Sequence, residues 1–152
     1  MPVPVRSIAP RPGELSAGWR VVFGIGWGAV VLALAAVWKA SRIVGLATWW
    51  LGPQSEPRSI AISLAPFAVA LLCVGAAIRN VRRLPWIGAA GALALLAVAL
   101  GDVGRFTDLA LVELAIAVAA MALSLASSAG VLHPVAPGPE AGSETGAGEP
   151  RR

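Results

Sequence analysis

Glu113 is an acid set inside an otherwise apolar stretch, residues 109–132, and is the side chain with the clearest capacity for chemistry. Ionisable groups within membrane-length segments are expensive to bury, and they mark proton relays, ligand contacts or paired charges. On a helical wheel Ala117, Ala120, Ser124 and Ser127 follow Glu113 at i+4, i+7, i+11 and i+14. Leu111, Leu114, Val118 and Leu125 occupy the opposite side. This spacing predicts that Glu113 faces other helices rather than lipid. Two chemistries then compete. Glu113 either handles a proton or substrate, or is a shallow carboxylate paired with Arg105 or with a basic residue of the first loop.

Asp102, Arg105 and Asp108 stand three residues apart. The simplest reading is a surface turn in which Arg105 offsets two carboxylates, an arrangement worth little energetically. With Glu56 and Glu113 the same carboxylates would make a cation or polar-ligand site on the outer face. No ligand spacing enforces such a site, so neither metal nor cofactor is expected. Arg79, Arg82 and Arg83 read as topology determinants that also contact anionic headgroups. Trp19, Trp38, Trp49, Trp50 and Trp86 fall at the borders of apolar runs, where indoles anchor a helix in the interfacial zone. The tandem Trp49-Trp50 has a rival reading as a lipid or substrate platform.

Missing motifs narrow the function further. The chain has no HExxH, no Gly-x-Ser-x-Gly, no phosphate-binding glycine loop and no His/Cys cluster. Cys73 is the single cysteine, so an intramolecular disulfide and a dithiol oxidoreductase are both excluded. No catalytic residues are assigned, and enzymatic activity is not expected.

The elements that position these residues follow from hydropathy. Of 152 residues 57% are hydrophobic and only 13% charged, against about 25% charged in a soluble domain. A soluble fold cannot hide that much apolar surface. The fold class expected is an all-α integral membrane protein with spans at about 20–38, 59–78, 84–101 and 109–132. Pro66 should kink the second span, and Pro85 suits the first turn of the third. A cleaved signal peptide ending near Ala33-Leu34-Ala35 is the rival reading of the first span. The long proline-rich arm before it favours a retained helix. Ser41, Gly45, Thr48 and Gly52 share one side of a wheel, with Ile43, Ala47 and Trp50 on the other. That pattern predicts a short amphipathic interfacial helix at about 41–51, stopped by Gly52-Pro53. Residues 1–18 read as a disordered basic arm and 133–152 as a disordered tail.

Basic residues near span ends number six on one side (Arg6, Arg11, Arg20, Arg79, Arg82, Arg83) and four on the other (Lys39, Arg42, Arg58, Arg105). This favours the cell membrane with both termini in the cytoplasm. The excess of arginine over lysine, with abundant Ala and Gly, points to a GC-rich bacterial genome. The net charge of +4 sits at span ends, so lipid headgroups rather than nucleic acid are the expected partner. Gly24-x-x-x-Gly28, Gly88-x-x-x-Ala92 and Ala115-x-x-x-Ala119 permit close helix approach. The spans show no internal repeat of the inverted-transporter kind. The expectation is a non-enzymatic scaffold, accessory subunit or envelope component acting through helix and lipid contacts, with a membrane-protein partner or further copies of itself. The alternatives are a small oligomeric transporter or channel with Glu113 on its path, and an enzyme acting on lipid-linked substrates at the outer face.

Overall fold

The computed structural model describes residues 12–46 and 48–132. They form four helices, α1 (Ala17–Val44), α2 (Ile60–Ile78), α3 (Leu84–Asp102) and α4 (Thr107–Ala126), the last running into a 3-10 turn at Ser127–Gly130. Each of the four is long and apolar enough to cross a membrane, which is compatible with a polytopic membrane protein. Neighbours in sequence pack side by side, and α4 closes the bundle against α1. Residues 79–83 and 103–106 are tight turns, so the helices alternate in direction. Asn80 and Arg83 take left-handed backbone conformations in the first turn, and Gly104 does so in the second.

Large side chains in the core come mainly from α1. Phe23, Trp27, Val30 and Leu34 fill the centre, against Ala70, Cys73 and Ala77 of α2, Ala92 and Leu95 of α3, and Ala117 and Ala120 of α4. The first span is therefore integral to the packed interior. The three later helices contribute small residues and come close. A Cβ on Gly88 would lie 2.4 Å from Ser124 Oγ and 2.7 Å from the Phe23 ring. One on Gly91 would lie 2.8 Å from Cys73 Sγ. Only glycine allows α3 this approach. Pro66 is buried within α2, and Pro85 sits in the first turn of α3, where its missing N–H has no helical partner to lose. The outward faces are apolar, with Ile25 69% and Leu72 72% exposed.

The structure departs from the sequence reading at two places. First, α1 runs on through Lys39 and Arg42 to Val44, and no separate helix forms over 41–51 among the described residues. Gly45 adopts the left-handed conformation (φ 75°) that ends a helix, so Ser41 and Thr48 no longer share one helical face. Ala47 lies outside the described residues. Second, residues 12–16, within the arm expected over 1–18, bond to the bundle. Leu15 bridges Val131 in antiparallel fashion, with Ser16 N–H donating to Gly130 O at 2.9 Å and Leu132 N–H to Glu14 O at 2.9 Å. Arg83 N–H reaches Gly13 O at 3.3 Å and Arg82 Nη2 reaches Pro12 O at 3.3 Å. One end of the bundle thus gathers Arg79, Arg82 and Arg83 with both ends of the described chain. The remainder of the arm and the tail expected over 133–152 lie outside the described residues.

Candidate functional site

The opposite end of the bundle is closed by the connection between α1 and α2. After Gly45 the chain doubles back, and residues 48–52 tuck under the helix ends as a lid. Gly52 N–H donates to Thr48 O at 2.9 Å, and Leu51 N–H donates to Thr48 Oγ1 at 3.2 Å. Serine and threonine hydroxyls favour such local turns over continued helix. Gly52 also needs a positive φ (69°), and a Cβ there would meet Arg58 N and Glu56 O at 3.0 Å. Arg58 N–H donates to Leu51 O at 3.2 Å, and Ser63 Oγ–H of α2 donates to Trp50 O at 3.2 Å. Arg42 Nη2 contacts Leu51 O at 3.4 Å, while Gln54 Nε2 donates to Arg42 O at 2.6 Å. Ser41 Oγ–H donates to Leu46 O.

The lid carries Trp50 and Leu51 wholly into the interior. The Trp50 ring meets Trp38 edge-on at a centroid distance of 6.0 Å and Phe67 at 6.1 Å. Such T-shaped contacts are favourable beyond the area they bury. Trp49 lies across Gly101, where a Cβ would come within 2.4 Å of the indole Nε1. Its Nε1–H donates to Val98 O at 2.8 Å, one of the carbonyls near the end of α3.

Two acids wait beneath this lid. Trp49 backbone N–H donates to Asp102 Oδ1 at 2.8 Å, and Trp50 Nε1–H donates to Glu113 Oε1 at 2.9 Å. Asp102 ends α3 and is 0% exposed, while Glu113 stands in the second turn of α4 and is 4% exposed. Held by adjacent residues of the lid, the two carboxyls lie near enough for each to feel the other's charge. Their second oxygens, Asp102 Oδ2 and Glu113 Oε2, are buried and accept no hydrogen bond among the described residues.

The remaining sequence candidates are distributed differently. Arg105 and Asp108 are exposed in and just after the α3–α4 turn, and Glu56 is exposed in the α1–α2 connection. Arg105 acts on Asp102 only through its charge. The Asp102–Arg105–Asp108 group therefore splits, with Asp102 turned inward and the other two outward. Glu113 pairs with Asp102 and Trp50, not with a basic residue. No group of three or more His, Cys, Asp or Glu able to hold a metal occurs among the described residues. Of the tryptophans, Trp86 is exposed, Trp19, Trp38 and Trp49 are half-buried, and Trp50 is enclosed by protein. Arg79, Arg82 and Arg83 are exposed at the far end.

Ser63, which holds the lid, has no place in the sequence reading, and Thr48, which shapes it, enters there only as one face of a helix that does not form. The Thr48-to-Gly52 spacing before a proline was their one local sign. The buried contact of Asp102 with Trp49 spans 53 positions and has no local sign at all. The chain matches no protein-family model, no curated protein and no solved structure.

Proposed function

We propose that this chain is a multi-pass protein of the bacterial cell membrane, both termini cytoplasmic, that works without catalysis as a scaffold, accessory subunit or envelope component. Its tools are helix and lipid contacts. Placement in lipid is supported by the apolar outer faces of the four helices, since a water-facing surface of that kind would associate or aggregate. The orientation rests on the arginine-rich end, which the positive-inside bias sets towards the cytoplasm.

The observation that carries the reading is a pair of apolar clefts, one on each side of α4. The first, of about 330 Å³, lies between α1 and α4 and is lined by small residues such as Gly26, Ala29, Ala33 and Ala119. The second, of about 260 Å³, lies between α3 and α4 and includes Ala92, Ala117, Met121 and Ala122. The first cleft, lined mainly by Gly and Ala, lets a transmembrane helix of another protein or of a second copy of this one approach its backbone closely. The second, which also carries Leu96, Val118 and Leu125, offers such a helix an apolar seat. The acids, by contrast, are enclosed beneath the lid. A transport path along Glu113 would require that carboxyl to be open to water. An enzyme would require Asp102, Asp108, Glu56 and Glu113 to converge on one cavity, whereas Asp108 and Glu56 point outward.

Ala29, Ala119 and Ala122 are exposed, so phenylalanine at each fills a cleft without disturbing the core. Purification in mild detergent, with crosslinking, should recover wild-type protein bound to a defined membrane protein or to itself. The same association should be lost in Ala119→Phe or Ala122→Phe with the fold intact. Association that is indifferent to all three substitutions would refute the reading.

A further inference from the structure

We propose that Asp102 and Glu113 form a proton-binding site whose occupied state latches the lid, residues 48–52, over the end of the bundle. Both carboxyls are more than nine-tenths buried. Each spends one oxygen on an N–H of the lid, from the Trp49 backbone at 2.8 Å and the Trp50 indole at 2.9 Å. Each keeps one buried oxygen without a partner. Two ionised carboxylates held on adjacent lid residues repel where water is excluded, because little dielectric screening is present. A single proton shared by the two carboxyls removes that repulsion. It supplies the donor both orphan oxygens lack, one carboxyl donating as O–H and the other accepting. The proton comes from water and returns there, and no bond or electron is otherwise moved.

Among the described residues no cation stands in that place. From α1, Lys39 is exposed, and Arg42 directs Nη2 to Leu51 O. The α1–α2 connection brings Glu56 and Arg58, both exposed. The first turns of α2 bring only the hydroxyl of Ser63, which is committed to Trp50 O. Arg105 and Asp108, between and at the start of α3 and α4, are exposed; Arg105 reaches Asp102 by charge without bonding it.

The direction of the coupling follows. The closed lid requires the shared proton, so closure is complete at lower pH and is lost as pH rises and the last proton leaves. Lid opening would hydrate the pair and expose the Trp49 and Trp50 rings. The site thus links proton concentration on the lid side to the shape of that end of the molecule, whichever partner occupies the clefts beside α4.

The test uses full-length protein in lipid nanodiscs. Acrylamide quenching of tryptophan fluorescence is followed from about pH 5 to about pH 9, alongside the infrared carbonyl band of a protonated carboxylic acid. Wild type should show low quenching at acid pH, a rise with increasing pH, and a band that disappears over the same interval. Glu113→Gln supplies a permanent neutral donor beside Asp102 Oδ2, so its quenching should stay low at every pH and the band should be absent. Asp102→Asn should behave in the same way. Flat quenching in wild type, no protonated-carboxyl band, or wild-type pH dependence in either variant would overturn the proposal. Sodium or potassium that closes the lid at alkaline pH, where choline does not, would overturn it in favour of a metal cation. Should both variants fail to fold, the wild-type titration and its band decide the matter alone.

Discussion

The indole Nε1–H of Trp50 donates to Glu113 Oε1 at 2.9 Å, joining the connection after α1 to the second turn of α4 across 63 positions of sequence. Trp50 has no exposure at all, so the bond is made in a packed and dry environment. There the alternative to this partner is no partner.

Trp50→Phe keeps an aromatic ring against Trp38 and Phe67 but removes the donor. It should destabilise the bundle by about 1–3 kcal/mol, the cost of leaving a buried acceptor unsatisfied. Thermal unfolding in detergent reads this directly. Combined with Glu113→Ala in a double-mutant cycle, the two changes should couple by about 0.5–3 kcal/mol. Simple additivity would mean that the bond contributes nothing.

Asp108→Asn and Glu56→Gln alter exposed carboxylates and should leave stability within about 0.5 kcal/mol of wild type. Asp102→Ala strips the Trp49 N–H of its acceptor and should cost about 1–3 kcal/mol in the same assay. Equal effects at all three positions would contradict the separation of Asp102 from its exposed neighbours.

Glycine positions give a sharper contrast. Gly88→Ala drives a methyl to within 2.4 Å of Ser124 Oγ and should cost about 1–3 kcal/mol through overpacking. Gly28 has open space where its Cβ would be, so Gly28→Ala should be neutral or stabilise by up to about 1 kcal/mol. Equal losses at both sites would show that α3 does not approach α1 and α4 as described.

Sidedness is open to chemical labelling. Cys73 is buried at 2% exposure and should resist maleimide until the protein is denatured. A cysteine introduced by Glu56→Cys should then react from outside intact cells, whereas Arg82→Cys should react only after permeabilisation. The reverse pattern would invert the proposed orientation.

The spans were legible because lipid-length apolar runs bounded by charge, proline and tryptophan carry their own boundaries. α2 and α3 begin and end within a residue or so of the hydropathy limits. α1 was read short because Lys39 and Arg42 look like a border. In the structure both sit on the last turns of the helix, with Arg42 reaching across to the lid. The stripe of Glu113, Ala117, Ala120, Ser124 and Ser127 lies on the buried side of its helix, and helical periodicity alone suffices to place it there. Trp50 shows the limit of such reasoning. A tryptophan beside a charged border ordinarily marks an interface, and only the turn at Gly45 and the bond from Ser63 carry it inward. Asp102 is harder still, since three acids and bases in a short turn look the same whether the first faces water or another carboxyl.

The bridge between Leu15 and Val131 has a temporal consequence. Its partner residue stands at position 131, so this fastening of the arginine-bearing end cannot form until α4 and the turn after it have been synthesised. The lid end, built from residues 41–113, can assemble earlier. During synthesis the lid end is thus free to close before the arginine-bearing end. Joining residue 12 to residue 132 through a short linker, and cutting the chain within 103–106, should reverse that order while preserving the finished shape.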